Sequence, residues 1–381
     1  MNGSVPLGRL FGIPLRVHWS APLLVFLLTL GLAANVLPAW VPGRSSGVYL
    51  LGGLVGALLL IASLVLHEVA HGVVARRAGT RVDDMTVWGL GGVTRIGRLH
   101  GPGRELLVAL AGPVVSLLVA AATWGVGLVA LNVLDWDVPA AVLIWTGVIN
   151  LLVAVFNLLP GAPLDGGRVL QAVLWWRGGD RDRAERQAGR CGQALGGVMV
   201  LGGWIVLLRT ATGSAGVWLL LVGGFLVVAA SAEVRHAALA ASARGVRVGE
   251  AMTTPAFTRP DWSTVDRVFE ESTTWRSLGA VPVVDFNGYP SGVVRWRTVL
   301  GIPPGRRGAV RLRDVAVPLS TWATASTQDD LLDALDDSRG RLPLLVLDGG
   351  LLVGAVTTLD LARLVRSATR AGSAWTSGSG R

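Results

Sequence analysis

The first 240 residues consist of six long uncharged stretches separated by short charged segments. Reading from one charged residue to the next, each stretch reaches about the 20 residues that a helix needs to cross the hydrocarbon core of a bilayer. The fifth is the shortest and is rich in glycine. The pattern predicts six transmembrane helices within Val17 to Gly43, Ser45 to Leu66, Leu106 to Leu134, Val138 to Leu164, Cys191 to Leu208 and Thr210 to Ala232.

Composition and charge support a polytopic membrane protein. Of 381 residues, 51% are hydrophobic and only 15% are charged. The net charge is +9, but the arginines lie in alternate loops, whereas a nucleic-acid binder would cluster them beside exposed aromatic residues. Because arginine is enriched in cytoplasmic loops, this asymmetry predicts cytoplasmic N- and C-termini in the cell membrane. The first stretch is too long for a cleaved signal peptide and is interpreted as an anchor.

A His-Glu-x-x-His motif ends the second uncharged stretch. His67 and His71 are four residues apart and share a helix face, where two imidazoles can bind one Zn²⁺ while Glu68 acts as general base. An ionised side chain near the bilayer centre costs about 2.5 to 3.5 kcal/mol on insertion scales. Three polar groups there require a compensating interaction, and a metal supplies one. The alternative is a chance match on a solvated helix without metal.

Asp165 is the predicted third ligand of the metal. It is the first charged residue after Asp137 and lies in a segment, Asn157 to Gly167, whose proline and glycine residues break the helix. The carboxylate can therefore turn back towards a metal held by a neighbouring helix. The alternative is a helix-terminating turn in which Asp165 caps the next segment. The two motifs together are more specific than either one alone.

With this pair of motifs, the chain resembles the site-2 protease family of intramembrane zinc metalloproteases. The resemblance covers residues from about Gly12 to the end of the sixth uncharged stretch. It rests on the His-Glu-x-x-His motif and on the Asn-x-x-Pro-x-x-x-Leu-Asp-Gly-Gly motif. Ala111-Gly112-Pro113 and Leu90-Gly91-Gly92 are further landmarks of the family.

The resemblance implies a mechanism for specific residues. His67, His71 and Asp165 would bind one zinc ion, Glu68 would be the general base, and Asn157 would steady the tetrahedral oxyanion. It also implies a substrate, namely the transmembrane segment of another protein in the lipid bilayer, such as an anti-sigma factor. The predicted function is thus an intramembrane zinc endopeptidase acting in regulated proteolysis.

The loop between the second and third stretches, Arg81 to Arg104, contains β-forming residues around a cluster of glycines. This composition predicts a hairpin at the membrane face. An exposed strand edge can pair with an unwound peptide. In the family, this region is held to present substrate by strand addition, which makes Gly91, Gly92 and Val93 candidate substrate-binding residues. The alternative is a glycine-rich connector without a role.

After Glu233 the pattern becomes that of a soluble α/β protein with an internal repeat. Val246–Glu250 recurs as Val310–Asp314, and Val281–Asp285 recurs as Leu342–Val346. This resembles a tandem of CBS domains. The predicted domains are a transmembrane protease domain at 1–240, two CBS domains at 246–305 and 306–370, and a disordered tail at 371–381.

Such CBS pairs commonly bind adenine nucleotides between their halves. The second half keeps the Gly-x-x-Thr-x-x-Asp ligand motif, which makes Thr357 and Asp360 candidate nucleotide-binding residues. The first half does not, because Arg295 and Thr298 stand where a hydroxyl residue and an aspartate are expected. A structural tandem, or one that forms a homodimer, is the alternative.

The predicted fold is therefore a polytopic α-helical membrane protein with a small membrane-associated β region and a C-terminal soluble α/β CBS pair. One competing function is a CBS-regulated transporter or channel, which would show broken segments at matching places in two related halves. No such duplication is visible in the six stretches. The other is a catalytically inactive relative that only binds membrane helices, but all four catalytic positions are filled.

Overall fold

The computed structural model describes residues 4–88, 91–97, 99–209, 214–338 and 341–366. The chain divides into two compact units, Met1–Arg235 and His236–Arg381, whereas the sequence places the first boundary between residues 240 and 246. The tail at 371–381, predicted to be disordered, lies outside the described residues.

The first unit is built mainly from helices, and α7 runs on past its boundary. The helices are α1 Ser20–Trp40, α2 Ser46–Arg77, α3 Pro102–Asn132, α4 Asp137–Asn157, α5 Asp165–Gly178, α6 Arg181–Arg209 and α7 Ser214–Ala243. All except α5 are long and apolar enough to cross a membrane, which confirms the six predicted spans in the part of the chain that the structure describes. The fifth span is the apolar part of α6, which is 29 residues long.

The small sheet of the first unit has four strands in the order β1-β2-β3-β4. Their bounds are β1 Ser4–Leu10, β2 Ile13–His18, β3 Val82–Trp88 and β4 Gly91–Ile96. The β3–β4 hairpin is the one that the sequence predicts, whereas β1 and β2 were not predicted. Strand β2 runs parallel to β3, with Leu15 opposite Met85. Ile13 and Met85 pack with Val69 of α2 in one buried cluster, which fixes the sheet against this helix.

Helices α3 and α4 pack closely through small residues. A Cβ at Gly127 would lie 3.2 Å from the Ile144 nitrogen, and one at Gly147 would lie 3.0 Å from the Ala120 carbonyl oxygen. In a membrane, such small residues let helix backbones approach and gain van der Waals contact. Helix α2 contacts both α3 and α4. The three helices therefore form one bundle.

The second unit contains two small sheets, with orders β5-β6-β7-β8 and β11-β10-β9. The strands are β5 Arg259–Pro260, β6 Ala280–Val284, β7 Pro290–Arg295, β8 Val317–Pro318, β9 Thr324–Ser326, β10 Leu344–Asp348 and β11 Leu351–Val356. The helices are α8 Val248–Ala251, α9 Val265–Glu270, α10 Ser272–Leu278, α11 Trp296–Leu300, α12 Leu312–Val315, α13 Leu331–Asp337 and α14 358–366.

The repeat seen in the sequence is visible as two similar halves, which confirms the CBS pair. The antiparallel pair β6–β7 corresponds to β10–β11, and α8 corresponds to α12. Each half is completed by a segment from the other. Strand β8 pairs with β7 of the first half, while Thr253 forms a bridge with Ala355 of β11. A single boundary at 305/306 therefore separates the sequence repeats but not the folded halves.

Candidate metal centre and active site

The imidazoles of His67 and His71 lie one turn apart on α2 and face the same point. Their Nε2 atoms are 3.2 Å apart. Each residue is only 5% exposed. Two buried nitrogen atoms at this spacing, both directed to one point, form one edge of a metal site.

Asp165 completes the cluster from the start of α5. Its Oδ2 lies 3.2 Å from Nε2 of His67 and 3.3 Å from Nε2 of His71. Asp165 is the first residue of α5, after Leu164, and no side chain caps that helix terminus. Asp165 therefore begins the next helix without capping it, and its carboxylate turns back to the two imidazoles.

The three donor atoms form a triangle with edges of 3.2 to 3.3 Å. In a tetrahedral zinc site with bonds of about 2.0 to 2.1 Å, neighbouring donor atoms lie about 3.3 Å apart. Two imidazole nitrogens and one carboxylate oxygen are also a donor set of catalytic zinc sites, which keep a fourth position for water or substrate. The residues present therefore fit a catalytic zinc ion.

Helix α3 fixes the orientation of both imidazoles. Nδ1 of His71 donates to the carbonyl oxygen of Val108 at 2.7 Å, which leaves Nε2 with a free lone pair. Nδ1 of His67 lies 2.9 Å from Oγ of Ser116. Partners of this kind hold a metal-binding histidine in the required tautomer. The sequence does not point to these two partners, because a serine in an uncharged span is a weak signal and a backbone carbonyl gives none.

Gly112 explains how α3 comes so close to the imidazoles of His67 and His71. A Cβ there would lie 2.5 Å from Nε2 of His67 and would overlap Nε2 of His71. Only glycine leaves room for both nitrogen atoms at this position. The glycine of the Ala111-Gly112-Pro113 landmark is therefore required for α3 to pack against the two histidines.

Glu68 lies on the side of α2 that faces β4. Oγ1 of Thr94 donates to Oε2 of Glu68 at 2.8 Å. A Cβ at Gly92 would overlap Cγ of Glu68 and lie 2.9 Å from Cδ. Glycine at position 92 thus lets the carboxylate lie across the strand, and the threonine hydroxyl holds one of its oxygens.

Asn157 is the last residue of α4, and its amide is turned to its own helix. Nδ2 donates to the carbonyl oxygen of Val153 at 3.0 Å. With Ile149, Leu152 and Phe156, it lines an apolar groove of about 390 Å³. The described hydrogen bonds do not join Asn157 to the histidines or to Glu68. A primary amide carries two N–H donors, so one remains available.

The charge state of Asp165 suits a metal ligand. Burial raises the pKa of its carboxyl group, but when His67 and His71 are protonated and hold no metal, their hydrogen bonds and charges outweigh burial and hold the pKa well below its ordinary value. The group is therefore a carboxylate over the whole physiological pH range.

Strand β4 forms one end of its sheet, so one of its edges has no strand partner among the described residues. On the other edge, Gly91 and Gly92 pair with residues of β3, and Val93 pairs with Thr86. The three predicted substrate-binding residues thus lie on an edge strand that also contacts the candidate base.

In the second unit, the carboxylate of Asp360 is almost fully buried, with the residue 3% exposed. It accepts hydrogen bonds from the Thr357 hydroxyl at 2.6 Å, the Thr357 backbone N–H at 2.8 Å and the Thr253 hydroxyl at 2.6 Å. It also forms an ion pair with Arg363 at 3.0 Å. Thr357, Arg363 and Phe257 line a cavity of about 140 Å³ between the halves.

The corresponding position in the first half is built differently. The guanidinium of Arg295 lies 5.1 Å from the ring centre of Trp322. Trp322 is buried with Val293 and Leu345, and its indole N–H donates to the carbonyl oxygen of Pro343. In the first half, Arg295 and Trp322 therefore lie where the sequence departs from the nucleotide-binding motif.

The chain is similar to several known proteins. The family model of peptidase family M50 matches residues 55–135 and 126–201. The chain is 38% identical to the Mycobacterium tuberculosis protein named Putative zinc metalloprotease Rip3, over 96% of this chain and 93% of that protein. It is 27% identical to the solved site-2 protease from Methanocaldococcus jannaschii, with a TM-score of 0.42 over 61% of this chain and 95% of that chain. It is also 24% identical to a solved CBS domain from a membrane protein of Sphaerobacter thermophilus, with a TM-score of 0.28 over 35% of this chain and 96% of that chain.

Proposed function

The chain belongs to peptidase family M50, the site-2 proteases, and is a multi-pass membrane zinc metalloendopeptidase; from this premise we propose that it hydrolyses a peptide bond within or beside the transmembrane segment of a single-span membrane protein. The observation that carries the proposal is the triangle of His67 Nε2, His71 Nε2 and Asp165 Oδ2, formed at the end of a membrane-spanning helix next to Glu68. A transporter does not require this arrangement, and in a relative without activity the four catalytic positions would not all need to be filled.

We assign the zinc ion to His67, His71 and Asp165 and the general base to Glu68. When bound, zinc supplies a Lewis acid for the scissile carbonyl and for the attacking water. Glu68 accepts the proton of that water and passes it to the leaving nitrogen. The second N–H of the Asn157 amide is the donor assigned to the developing oxyanion.

Substrate presentation is assigned to the free edge of β4. Hydrolysis requires an extended peptide whose carbonyl is exposed, and pairing with a strand edge extends a peptide. Gly91, Gly92 and Val93 lie on this edge strand, and Gly92 also contacts Glu68. Strand addition there would place the scissile bond beside the base. The implied anti-sigma factor substrate stays a prediction.

Thr94→Val is expected to slow cleavage about tenfold, because the hydroxyl that holds Oε2 of Glu68 is lost while the side-chain shape is kept. Thr94→Ser keeps the hydroxyl and should restore most of the rate. The measurement is kcat and KM on a membrane protein that the wild-type enzyme cleaves. The loss should lie in kcat, since Thr94 acts on the base.

A Thr94→Val enzyme with unchanged kcat would show that the hydroxyl does not position Glu68. An increase in KM alone would instead assign Thr94 to substrate binding at β4. Zinc content serves as the control, because Thr94 touches none of the three assigned ligands in the described contacts.

The orientation in the membrane is tested by reporter fusions. Arginine is concentrated in alternate loops, so fusions after Arg177 and Arg244 should report cytoplasm, and one after Asp135 should report the outside. The 29 residues of α6 are long enough to cross. An external signal after Arg244 would mean that α6 does not cross the bilayer.

Nucleotide control of proteolysis is the second proposal, and it is favoured by the cavity beside Thr357, Asp360 and Arg363. These side chains supply the hydroxyl, carboxylate and guanidinium groups that suit a ribose and a phosphate. Helix α7 provides a connection, because it forms the last span and its final residue, Ala243, is buried in the core of the second unit. A homodimer through the CBS pair stays a prediction.

Asp360→Ala is expected to weaken binding of AMP, ADP or ATP to the full-length protein about tenfold, as measured by calorimetry, because a buried charged hydrogen-bond partner is removed. Thr298→Ala in the first half should leave binding unchanged. If wild-type protein gives no heat with any of the three nucleotides, the CBS pair is a structural module, and the protease assignment is unaffected.

A further inference from the structure

The turn that carries Asp165 rests on the backbone of α6. This turn joins α4 to α5, and the backbone N–H of Ala162, three residues before Asp165, donates to the carbonyl oxygen of Ala188 at 3.1 Å. Ala188 lies in α6 and is 1% exposed. The segment leading to the metal-binding carboxylate is therefore bonded to a neighbouring membrane helix.

One turn further along α6, Gly192 touches the same segment. A Cβ at Gly192 would overlap the carbonyl oxygen of Ala162 and lie 3.0 Å from its carbonyl carbon. From the other side, a Cβ at Gly161 would lie 2.7 Å from Cα of Gly192. The two backbones are in direct contact, and each needs glycine where they meet.

Between this contact and Asp165, the chain is tightly wound. The backbone N–H of Leu164 donates to the carbonyl oxygen of Gly161 at 3.1 Å, and that of Gly167 donates to Leu164 at 2.9 Å. A Cβ at Gly167 would overlap the backbone nitrogen of Ala162. With hydrogen bonds and close backbone contacts on both sides, the turn has little freedom, so a shift of Ala162 moves Asp165.

We propose that α6 sets the position of the Asp165 carboxylate. It does so through the carbonyl of Ala188 and through Gly192, whose lack of a side chain lets the turn approach. Gly192 is thus a positioning residue of the metal site. The inference rests on the proposed role of Asp165 as a zinc ligand. Asp165 Oδ2 is 3.2 to 3.3 Å from both histidine nitrogens, and a shift of about half an ångström is enough to spoil a tetrahedral donor set.

The test compares Gly192→Ala with two other glycine variants of α6 in the full-length, detergent-solubilised protein. Gly196 packs on α7, where a Cβ would lie 2.8 Å from the Gly223 carbonyl oxygen, whereas Gly197 has open space around it. The probe is Co²⁺ in place of zinc. Its visible absorption reports coordination, and competition with a chelator gives its affinity. Thermal unfolding is recorded for each variant.

Gly192→Ala is expected to lower Co²⁺ affinity by about tenfold to a hundredfold and to change the absorption spectrum. Losing a group that orients a metal ligand typically has an effect of this size. Gly196→Ala should lower the unfolding temperature but keep the wild-type spectrum and affinity. Gly197→Ala should resemble the wild type in all three measurements. If Gly192→Ala cannot be purified, Gly161→Ala probes the same contact from the turn and should show the same loss.

Three outcomes would each overturn one of two claims. Wild-type Co²⁺ affinity and spectrum in Gly192→Ala, together with their loss in Asp165→Ala, would refute the positioning role and leave the ligand assignment intact. An equal loss of affinity in Gly196→Ala would also refute it, since the effect would then be general helix packing. Unchanged Co²⁺ binding in Asp165→Ala would refute the ligand assignment itself.

Discussion

Glu68→Gln enzyme is expected to bind one zinc ion per chain and to cleave its substrate about a hundred to ten thousand times more slowly than the wild type. The amide has the size of the carboxylate, and its oxygen can still accept the hydrogen bond of Thr94, but it cannot take a proton from water. Zinc is measured by elemental analysis, and cleavage is measured on a single-span membrane protein that the wild-type enzyme cuts.

Near wild-type turnover in Glu68→Gln would mean that another group is the base. Glu270→Gln provides a matched control, because Glu270 is an exposed glutamate of the second unit. That variant should keep both zinc and activity.

Asp165→Ala is expected to lower zinc affinity by more than about a hundredfold and to abolish cleavage. Removing a direct ligand should lower affinity by more than the tenfold to hundredfold that follows removal of a residue hydrogen-bonded to a ligand. The measurement is zinc retained by the purified protein against a chelator of known affinity. Asp180→Ala, which removes an exposed carboxylate that accepts from the backbone N–H of Arg183, should retain zinc like the wild type.

Full zinc retention in Asp165→Ala would mean that Asp165 is only the first residue of α5 and is not a zinc ligand. The expected loss has a clear physical basis, since His67 and His71 alone would leave two of four tetrahedral positions to solvent.

The membrane spans could be predicted from the sequence because charge is excluded from the bilayer core, so the charged residues mark the helix ends. The β1–β2 hairpin was missed, since its strands are short and β2 lies next to the first apolar stretch. Its signal was the alternation of apolar and polar residues in Ile13–His18. Helix α5 was missed because it is short, mixed in polarity and not membrane-spanning.

The proposed zinc ligands could be predicted because their residue types occur at characteristic spacings along the chain. His67 and His71 are one helical turn apart, and Asp165 follows a helix break. The residues that support them belong to other elements. Ser116 lies 49 positions after His67, and Thr94 lies 26 positions after Glu68, so only the fold brings them together.

The same limit applies to the second unit. The repeat predicted two similar halves, but not that β8 pairs with the first half and Thr253 with the second. These pairings involve very short segments, and their register is set by packing in three dimensions. Likewise, the motif identified Thr357 and Asp360 but not Thr253, which shares their hydrogen-bond network.

The central claim, that this zinc enzyme cuts membrane-spanning segments, is tested most directly by comparing protein termini in membranes that contain wild-type protein or Glu68→Gln. Mass spectrometry of the membrane and soluble fractions gives the termini of every single-span protein. We expect at least one such protein to accumulate uncut with Glu68→Gln and to show a new terminus within or beside its transmembrane segment with the wild type. Identical termini in both samples, with zinc bound in each, would contradict the claim.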